Sequence, residues 1–247
     1  MSQRYTPAVS AIIVILTLTA LSGCATLGSK DLEKKPHHPD PFEKFNRAVF
    51  KFNDTADRAV LKPIAKAYVR FAPAPLRKGI RNFFNNVLEP TVVVNDFLQG
   101  KARQGINDTW RFVINSTVGI VGLFDVATKV GLEKHNEDFG QTFAKWGMAD
   151  GPYLVLPFFG PSNVRDGIGL FPYYSYTHPF GYVDNNEIRW GIVVLESIDT
   201  RANLLGSEKI LMQAALDRYV FIREAYKQRR LNLIHDGNPP LDYLLED

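Results

Sequence analysis

Residues 40–56 read DPFEKFNRAVFKFNDTA, and this stretch decides the fold class. Apolar side chains recur in it at steps of three or four, which predicts one amphipathic helix. These positions are Phe42, Phe45, Val49, Phe52 and Ala56. Asp40 fits the N-cap and Glu43 fits a capping box. Because buried asparagines need partners, we interpret Asn46 and Asn53, which flank the stripe, as marking a wet or lipid-headgroup surface.

Further helices follow, separated by prolines that start or stop them. The predicted helices are 75–88, 91–98, 103–117, 186–205 and one capped by Ser207. Strand signal is weak, and residues 155–156 are the one exception that we allow. The sequence therefore predicts an all-α fold of several short and medium helices with little or no sheet.

Two apolar segments leave alternatives open. Residues 151–183 are rich in aromatic residues, proline and glycine and carry only two charges, Arg165 and Asp166. Aromatic side chains with a polar tip favour a bilayer interface, whereas the plainer interpretation is irregular structure packed over a core. Residues 119–124 (GIVGLF) form either a loop that dips into lipid or a tight packing elbow, and we favour the elbow.

The N-terminus predicts export and lipidation. Residues 8–20 are almost wholly apolar, but a membrane-spanning helix needs about 20 such residues, so we interpret residues 1–23 as a removed signal peptide. They lead into Cys24, the only cysteine of the chain, in an LSGC sequence that resembles the lipobox of bacterial lipoproteins. This resemblance implies diacylglyceryl and acyl groups on Cys24 and, with Ala25 next, outer-membrane sorting. Residues 25–39 are polar, charged and without periodicity, so we interpret residues 24–39 as a lipidated tether. The alternative is a plain signal peptide with an accidental cysteine.

The rest of the sequence offers little for catalysis. The net charge of +3 is too small for a nucleic-acid surface, and the five histidines are scattered. His37 and His38 lie in the tether, and we interpret them as a solvated pair and not as a metal site. We interpret the adjacent carboxylates Glu137 and Asp138 as solvated loop charges. We predict no catalytic residue, no metal and no cofactor besides the lipid on Cys24.

Short motifs in a fixed order give the chain a resemblance to a known family. They are DPFEKFNR (40–47), FN (52–53), NFF (82–84), FLQG (97–100), EDFGQT (137–142), WG (146–147), GPYLVLP (151–157) and GPS (160–162). Together they resemble the VacJ/MlaA outer-membrane lipoproteins over residues 40–228. We therefore expect a helical domain over residues 40–230 and a C-terminal tail over 231–247.

The resemblance implies a function. Such proteins form a ring-like helical disc embedded in the periplasmic leaflet of the outer membrane, with an amphipathic channel. Phospholipids that have strayed into the outer leaflet pass through it to a periplasmic lipid carrier, which preserves lipid asymmetry, and family members associate with trimeric porins. No covalent step is needed, so we predict that the chain is not an enzyme. The rival interpretations are a structural envelope lipoprotein bound to porins and a lipid hydrolase.

We also predict which residues line the lipid path. Our hypothesis is that the first helix supplies a gate or wall, and the resemblance implies that residues 137–157 supply a glycine-flanked hairpin near the pore. The expected path residues are Phe45, Asn46, Phe50, Asn53, Phe139, Gly140, Gly147, Gly151 and Tyr153. Among these, Gly140, Gly147 and Gly151 are the expected flexible joints.

Overall fold

A computed structural model describes residues 40–214 and 216–240, with the backbone alone for 209–214. The described chain is mostly helical with one small two-stranded sheet, which confirms the predicted fold class. The signal peptide, Cys24, the tether with its two histidines and the last seven positions of the tail lie outside the described residues.

Helices and strands follow one another along the chain in a simple order. The helices are α1 (Glu43–Ala56), α2 (Lys62–Phe71), α3 (Ala74–Leu98), α4 (Ala102–Thr117), α5 (Phe139–Lys145), α6 (Val164–Pro172), α7 (Asn186–Ala214) and α8 (Arg218–Ile234). The strands are β1 (Tyr153–Leu156) and β2 (Gly160–Asn163), and the shorter turns are Asp57–Leu61, Thr128–Val130, Tyr173–Thr177 and Pro179–Tyr182. α3 packs against α4, α5 against α6, and α2 against α7, while α1 and α8 contact the two strands.

Helix α1 begins later than predicted. Asp40 does not cap it: the Asp40 Oδ1 atom accepts a hydrogen bond from the Phe42 N–H at 3.2 Å, within a turn that precedes the helix. Glu43 accepts from Arg47 Nε at 2.7 Å, so the predicted capping box is wrong. The carboxylate of Glu43, the first residue of the helix, is used by an i,i+4 ion pair, which competes with capping.

Helix α3 runs unbroken through Pro90, so the prediction of separate helices at 75–88 and 91–98 is wrong. Proline cannot donate to the carbonyl four residues earlier and usually ends or kinks a helix. Here α3 packs along much of α4, and this tertiary contact outweighs the local break. Helix α4 (Ala102–Thr117) begins within one residue of its predicted start and ends where predicted.

Helix α7 also runs through its predicted boundary. Ser207 lies inside it, whereas α8 begins at Arg218 and is capped by Asp217, whose Oδ1 accepts from the Tyr219 N–H at 2.9 Å. Next to Ser207, the carboxylate of Glu208 accepts from Lys62 on α2 at 2.7 Å. This ion pair and the packing of α2 on α7 hold the segment helical past the predicted cap.

The sheet is an antiparallel hairpin. Tyr153 pairs with Asn163 and Leu156 with Gly160, which confirms the candidate strand at 155–156 and adds a strand that the sequence did not predict. In the connecting loop, Phe158 has a positive φ of 65°, a backbone conformation that side chains with a Cβ seldom adopt.

The polarity of the described domain is reversed relative to a water-soluble protein. Buried polar and charged side chains outnumber buried hydrophobic ones, whereas many large apolar side chains are exposed. All three tryptophans are among the exposed residues: Trp110, Trp146 and Trp190. Within residues 40–214 and 216–240, no helix has both the length and the hydropathy to cross a bilayer.

The structure describes both segments for which the sequence left alternatives open, residues 151–183 and residues 119–124. In residues 151–183, Tyr153 and Phe180 are buried whereas Phe158 is exposed, so neither alternative holds for the whole segment. Residues 119–124 make a tight turn, yet Ile120, Val121 and Phe124 are all more than half exposed, so the choice between a packing elbow and a lipid-dipping loop stays a prediction. A Cβ on Gly119 would lie 2.2 Å from the Phe124 carbonyl oxygen, so the turn admits only glycine there.

Candidate functional site

The hairpin is held against α1 by two asparagine side chains. Asn46 accepts from the Val155 N–H and donates to the Tyr153 carbonyl, both at 2.9 Å. Asn53 accepts from the Phe158 N–H and donates to the Leu156 carbonyl, also both at 2.9 Å. Each carboxamide thus satisfies one donor and one acceptor on the outer edge of β1, as a third strand would.

The spacing of the two asparagines fits this role. Two helical turns span about 10 Å, since each residue rises about 1.5 Å. The two carbonyl acceptors, of Tyr153 and Leu156, lie three residues apart on β1, and three residues of strand also span about 10 Å. Asn46 and Asn53 therefore meet the hairpin edge at matched intervals from one face of α1.

This arrangement corrects one prediction. Asn46 has no exposed surface, so it does not mark a wet or lipid-headgroup surface. Phe50 lies on the same side and packs edge-on against Tyr219, with ring centroids 5.9 Å apart. Phe45 points elsewhere and is 56% exposed, so the structure brings Asn46, Phe50, Asn53 and Tyr153 together but not Phe45.

A small aromatic core lies beneath the hairpin. Tyr153, Val155 and Tyr219 form it, with Tyr226 packed against them. The Tyr153 ring lies 6.1 Å from that of Tyr219 and 5.8 Å from that of Tyr226. The Tyr153 hydroxyl is buried without a hydrogen-bond partner, and burial raises its pKa far above the usual range.

A charged cluster borders this core and ties α8 to α5 and α6. Arg230 donates to both carboxylate oxygens of Asp138, at 2.5 and 3.0 Å, and its Nη2 donates to Asp166 Oδ1 at 3.0 Å. Asp166 also accepts from the hydroxyl of Tyr226. Desolvation opposes ionisation of Asp138, but the hydrogen bonds from Arg230 outweigh it and lower the pKa of that carboxyl.

A pocket of about 280 Å³ opens beside the cluster. One wall carries the charged groups of Asp138, Asp166 and Arg230, and the rest is largely apolar or aromatic. The apolar lining includes Phe139, Leu156, Phe159, Leu170 and Tyr173. A charged wall facing apolar walls suits an amphipathic ligand, since each part of the ligand meets matching chemistry.

The predicted hairpin at 137–157 is wrong in its bounds. That range holds α5 and β1, and the hairpin spans residues 153–163. Gly140 is a buried residue of α5 and not a joint. A Cβ there would lie 2.4 Å from Asp166 Oδ1, so glycine is needed for close approach to the charged cluster. Gly147 and Gly151 have positive φ values of 93° and 67°, as flexible joints require, and their role as joints stays a prediction.

The inward face of α8 is a part of the site that was not predicted. It carries Tyr219, Arg223, Tyr226 and Arg230, at steps of four, three and four. Arginine at helical spacing with tyrosine gives the same periodic signal as an apolar stripe, and it could have identified the face. Arg223 on this face is only 3% exposed.

Glu137 and Asp138 were predicted to be solvated loop charges, and the structure gives both of them partners. Glu137 is buried and accepts from Lys101 at 2.9 Å, so it is not a solvated loop charge. Asp138 is half exposed, but it caps α5 through the Gln141 N–H and pairs with Arg230. Among the side chains that the structure describes, no group of three or more histidine, cysteine, aspartate or glutamate residues is placed to hold a metal ion.

Comparison with known proteins gives the family. Residues 38–233 match the family described as MlaA lipoprotein. The chain belongs to the MlaA lipoprotein family. This match includes every described element of the hairpin, the aromatic core and the charged cluster.

Relatives from distant bacteria share most of the chain. An uncharacterized protein of Rickettsia typhi is 40% identical over 191 residues, which cover 77% of this chain and 76% of the relative. The intermembrane phospholipid transport system lipoprotein MlaA of Escherichia coli K12 is 37% identical over 232 residues, or 90% of this chain and 87% of that protein. A solved structure that addresses maintenance of bacterial outer membrane lipid asymmetry has a TM-score of 0.70 and 36% identity, covering 81% of this chain and all of the other.

Proposed function

We propose that this protein is an outer-membrane lipoprotein that moves misplaced phospholipids out of the outer leaflet and passes them to a periplasmic lipid carrier. The relative from Escherichia coli is named as an intermembrane phospholipid transport lipoprotein, and the solved relative concerns outer-membrane lipid asymmetry. The reversed polarity of the described domain is the single observation on which the proposal rests.

Reversed polarity suits a protein that is surrounded by hydrocarbon and that offers lipid headgroups a polar route through its interior. Burying an unpaired charge is costly, so a lipid headgroup needs polar partners along its way. Exposed aromatic and aliphatic side chains such as Phe71, Trp110 and Phe171 would contact acyl chains. In this proposal the helices form a ring-like disc in the periplasmic leaflet with an amphipathic channel.

The pocket beside the hairpin supplies a candidate section of the lipid path. Its charged wall would face a headgroup, and its aromatic walls would face acyl chains. Phe139, Gly140 and Tyr153 lie at or next to this pocket, so we keep them as path residues. The hairpin would act as a gate whose position is set by Asn46 and Asn53.

The remaining parts of the proposal concern attachment and partners. Lipid on Cys24 would anchor the chain, and anchoring by more than one acyl chain is stable. The partners would be phospholipids, the periplasmic carrier and a trimeric porin, with no metal or soluble cofactor. Transport of this kind needs no bond to be made or broken, so we propose that the protein is not an enzyme.

The main experiment measures phospholipid at the cell surface with a membrane-impermeant amine-reactive label. Deleting the gene should raise the labelled phospholipid, and the wild-type chain should restore the low level. A Cys24→Ser variant, which cannot carry the lipid, should fail to restore it. A deletion strain whose outer leaflet stays free of phospholipid would instead favour a structural role as a porin-bound envelope lipoprotein.

The gate can be tested by an engineered disulfide at Asn53→Cys and Phe158→Cys. The Asn53 side chain reaches the Phe158 backbone at 2.9 Å, so the two positions are neighbours across the joint between α1 and the hairpin. Oxidation should lock the hairpin and reduce transport, and reduction should release it. The Asn53→Ser, Phe158→Ser chain is the control, and identical transport by the oxidised and reduced cysteine variant would refute the gate.

The hydrolase alternative has its own test. Purified protein is incubated with phospholipid labelled in one acyl chain, and the products are separated. Release of labelled fatty acid or lysolipid at a rate above that of a heat-unfolded sample would overturn the transport proposal.

A further inference from the structure

A second cluster of ionisable side chains lies between α3 and α4, apart from the hairpin. Its members come from three parts of the chain: α3, the start and middle of α4, and the segment before α5. The buried carboxyl groups are those of Glu89, Asp96, Asp108 and Glu137. The cations that face them are Arg111, which is 2% exposed, and Lys101, whose side chain is 11% exposed.

Two of these carboxyl groups have partners of their own. Glu89 accepts from Arg111 Nε at 3.2 Å, and Lys134 lies within electrostatic reach of it. Glu137 accepts from Lys101 at 2.9 Å and from Gln99 at 2.8 Å. These contacts use the two buried cations.

The same cations have outside partners as well. Arg111 Nη2 also lies 3.4 Å from Asp125, and Lys101 also pairs with Asp236. Each cation is therefore shared among several carboxylates, and Arg111 Nε lies 3.9 Å from Asp108 Oδ1, beyond hydrogen-bonding distance.

The other two carboxyl groups, of Asp96 and Asp108, face each other. Both side chains have no exposed surface. Asp96 packs against Gly105, three residues before Asp108 on α4, and Asp108 acts on the Asp96 carboxyl at close range. Asp96 Oδ1 accepts from Gln104 at 2.7 Å, and Asp108 Oδ2 lies 2.8 Å from His135 Nδ1. Asp96 Oδ2 and Asp108 Oδ1 have no hydrogen-bond donor, and the nearest cation, Arg111 Nε, is 3.9 Å from Asp108 Oδ1.

Two adjacent carboxylates cannot both be ionised in such a place. A buried charge without a partner is costly, and like charges at contact distance add to that cost. The two orphan oxygens both need a donor, and one proton between them would supply it. We propose that Asp96 and Asp108 share a single proton and that this acid–carboxylate pair fastens α3 to α4 until alkaline pH removes the proton.

The geometry of the helices fits a short contact of this kind. Gly105 lies on α4 opposite Asp96, and a Cβ on Gly105 would lie 3.2 Å from the Asp96 Cβ. The two helices therefore approach each other closely beside Asp96. Loss of the shared proton would place two negative charges in this narrow gap.

The direction of the pH effect follows from the same contacts. Burial, with the charge of Asp108 beside it and that of Glu137 further off, raises the pKa of Asp96 to about 8 from its usual 3.8. A carboxyl whose pKa is raised by folding stabilises the folded state most below its usual pKa, and that stability is lost as the pH rises through the folded value. Stability of the domain should therefore fall between about pH 4 and pH 8.

The test compares the melting temperature of the full lipidated chain in detergent micelles with that of Asp96→Asn at about pH 6 and about pH 9. The carboxamide can donate to Asp108 and accept from Gln104, so it replaces the shared proton permanently. We expect the wild-type melting temperature to fall by about 5 °C more than that of the variant across this range. Parallel pH profiles would overturn the proposal.

A matched control and a second measurement guard against a variant that does not fold. Asp57→Asn removes a carboxylate that is paired with Arg201 at 2.6 and 2.8 Å, so it should lower the melting temperature equally at both pH values. In the wild-type protein, infrared spectra should show the carbonyl band of a protonated carboxylic acid that titrates near pH 8 and shifts in heavy water. If no such band is present in the wild type, the proposal is wrong.

Discussion

Replacing Asn46 with alanine tests how the hairpin is held. The side chain is fully buried and satisfies the Val155 N–H and the Tyr153 carbonyl. Each buried group left without a partner costs about 1–3 kcal/mol, so we expect Asn46→Ala to destabilise the protein by about 4 kcal/mol. That is a large part of a typical free energy of unfolding of about 5–15 kcal/mol.

Asn53→Ala is the matched control, because Asn53 makes the same two kinds of hydrogen bond to the hairpin. Its acceptor contact, to the Phe158 N–H, lies in an exposed position where water can replace the side chain. We therefore expect a loss of only about 1 kcal/mol.

Urea unfolding of both variants in micelles, followed by circular dichroism, measures the two losses. Amide hydrogen exchange at Val155 should also accelerate in Asn46→Ala. If Asn46→Ala lowers the free energy of unfolding no more than Asn53→Ala does, the hydrogen bonds of Asn46 do not hold the edge of β1, and this explanation is wrong.

Three further predictions concern other contacts. Arg230→Ala leaves two carboxylates without their shared guanidinium and should cost about 3 kcal/mol in thermal unfolding; a loss below about 1 kcal/mol would contradict this. Gly122→Ala should cost more than Gly131→Ala: both have positive φ, but only at Gly122 would a Cβ meet other atoms, at 2.4 Å, and equal losses would refute the clash. Burial opposes ionisation of Glu208, yet the hydrogen bonds from Lys62 and a neighbouring arginine lower its pKa to about 2 from 4.5, so its stabilisation is present above about pH 4.5 and lost toward pH 2. Glu208→Gln should flatten this acid dependence of the melting temperature, and an unchanged slope would disprove it.

The fold class was predictable because apolar residues still recur at helical spacing, although many of them lie on the outside of the domain. The stripe of α1 and the pattern of α4 gave both helices to within a few residues. Two predicted helix boundaries were wrong because contacts with distant parts of the chain stabilise the helix across a residue that locally favours a break. The packing of α3 on α4 keeps the helix continuous at Pro90, and the packing of α7 on α2 does so at Ser207. A local sequence pattern contains neither contact.

The candidate site was predictable only in part. Asn46, Phe50 and Asn53 do meet around the hairpin, but Phe45 does not, and the burial of Asn46 could not be inferred without knowing that β1 lies beside it. The strand at 160–163 reads GPSN and has no strand propensity, so only pairing with β1 explains it. The contact of Asp138 with Arg230 joins residues 92 positions apart, a separation that no local pattern spans.

The polar interior has a consequence for how the protein responds to temperature. On unfolding, newly hydrated apolar area raises the heat capacity and newly hydrated polar area lowers it, with a usual net increase of about 12–15 cal/mol/K per residue. Much of what this chain buries is polar, so its increase should lie below that range. The curve of stability against temperature would then be broad and shallow, and calorimetry in micelles should find neither a sharp optimum nor easy cold denaturation.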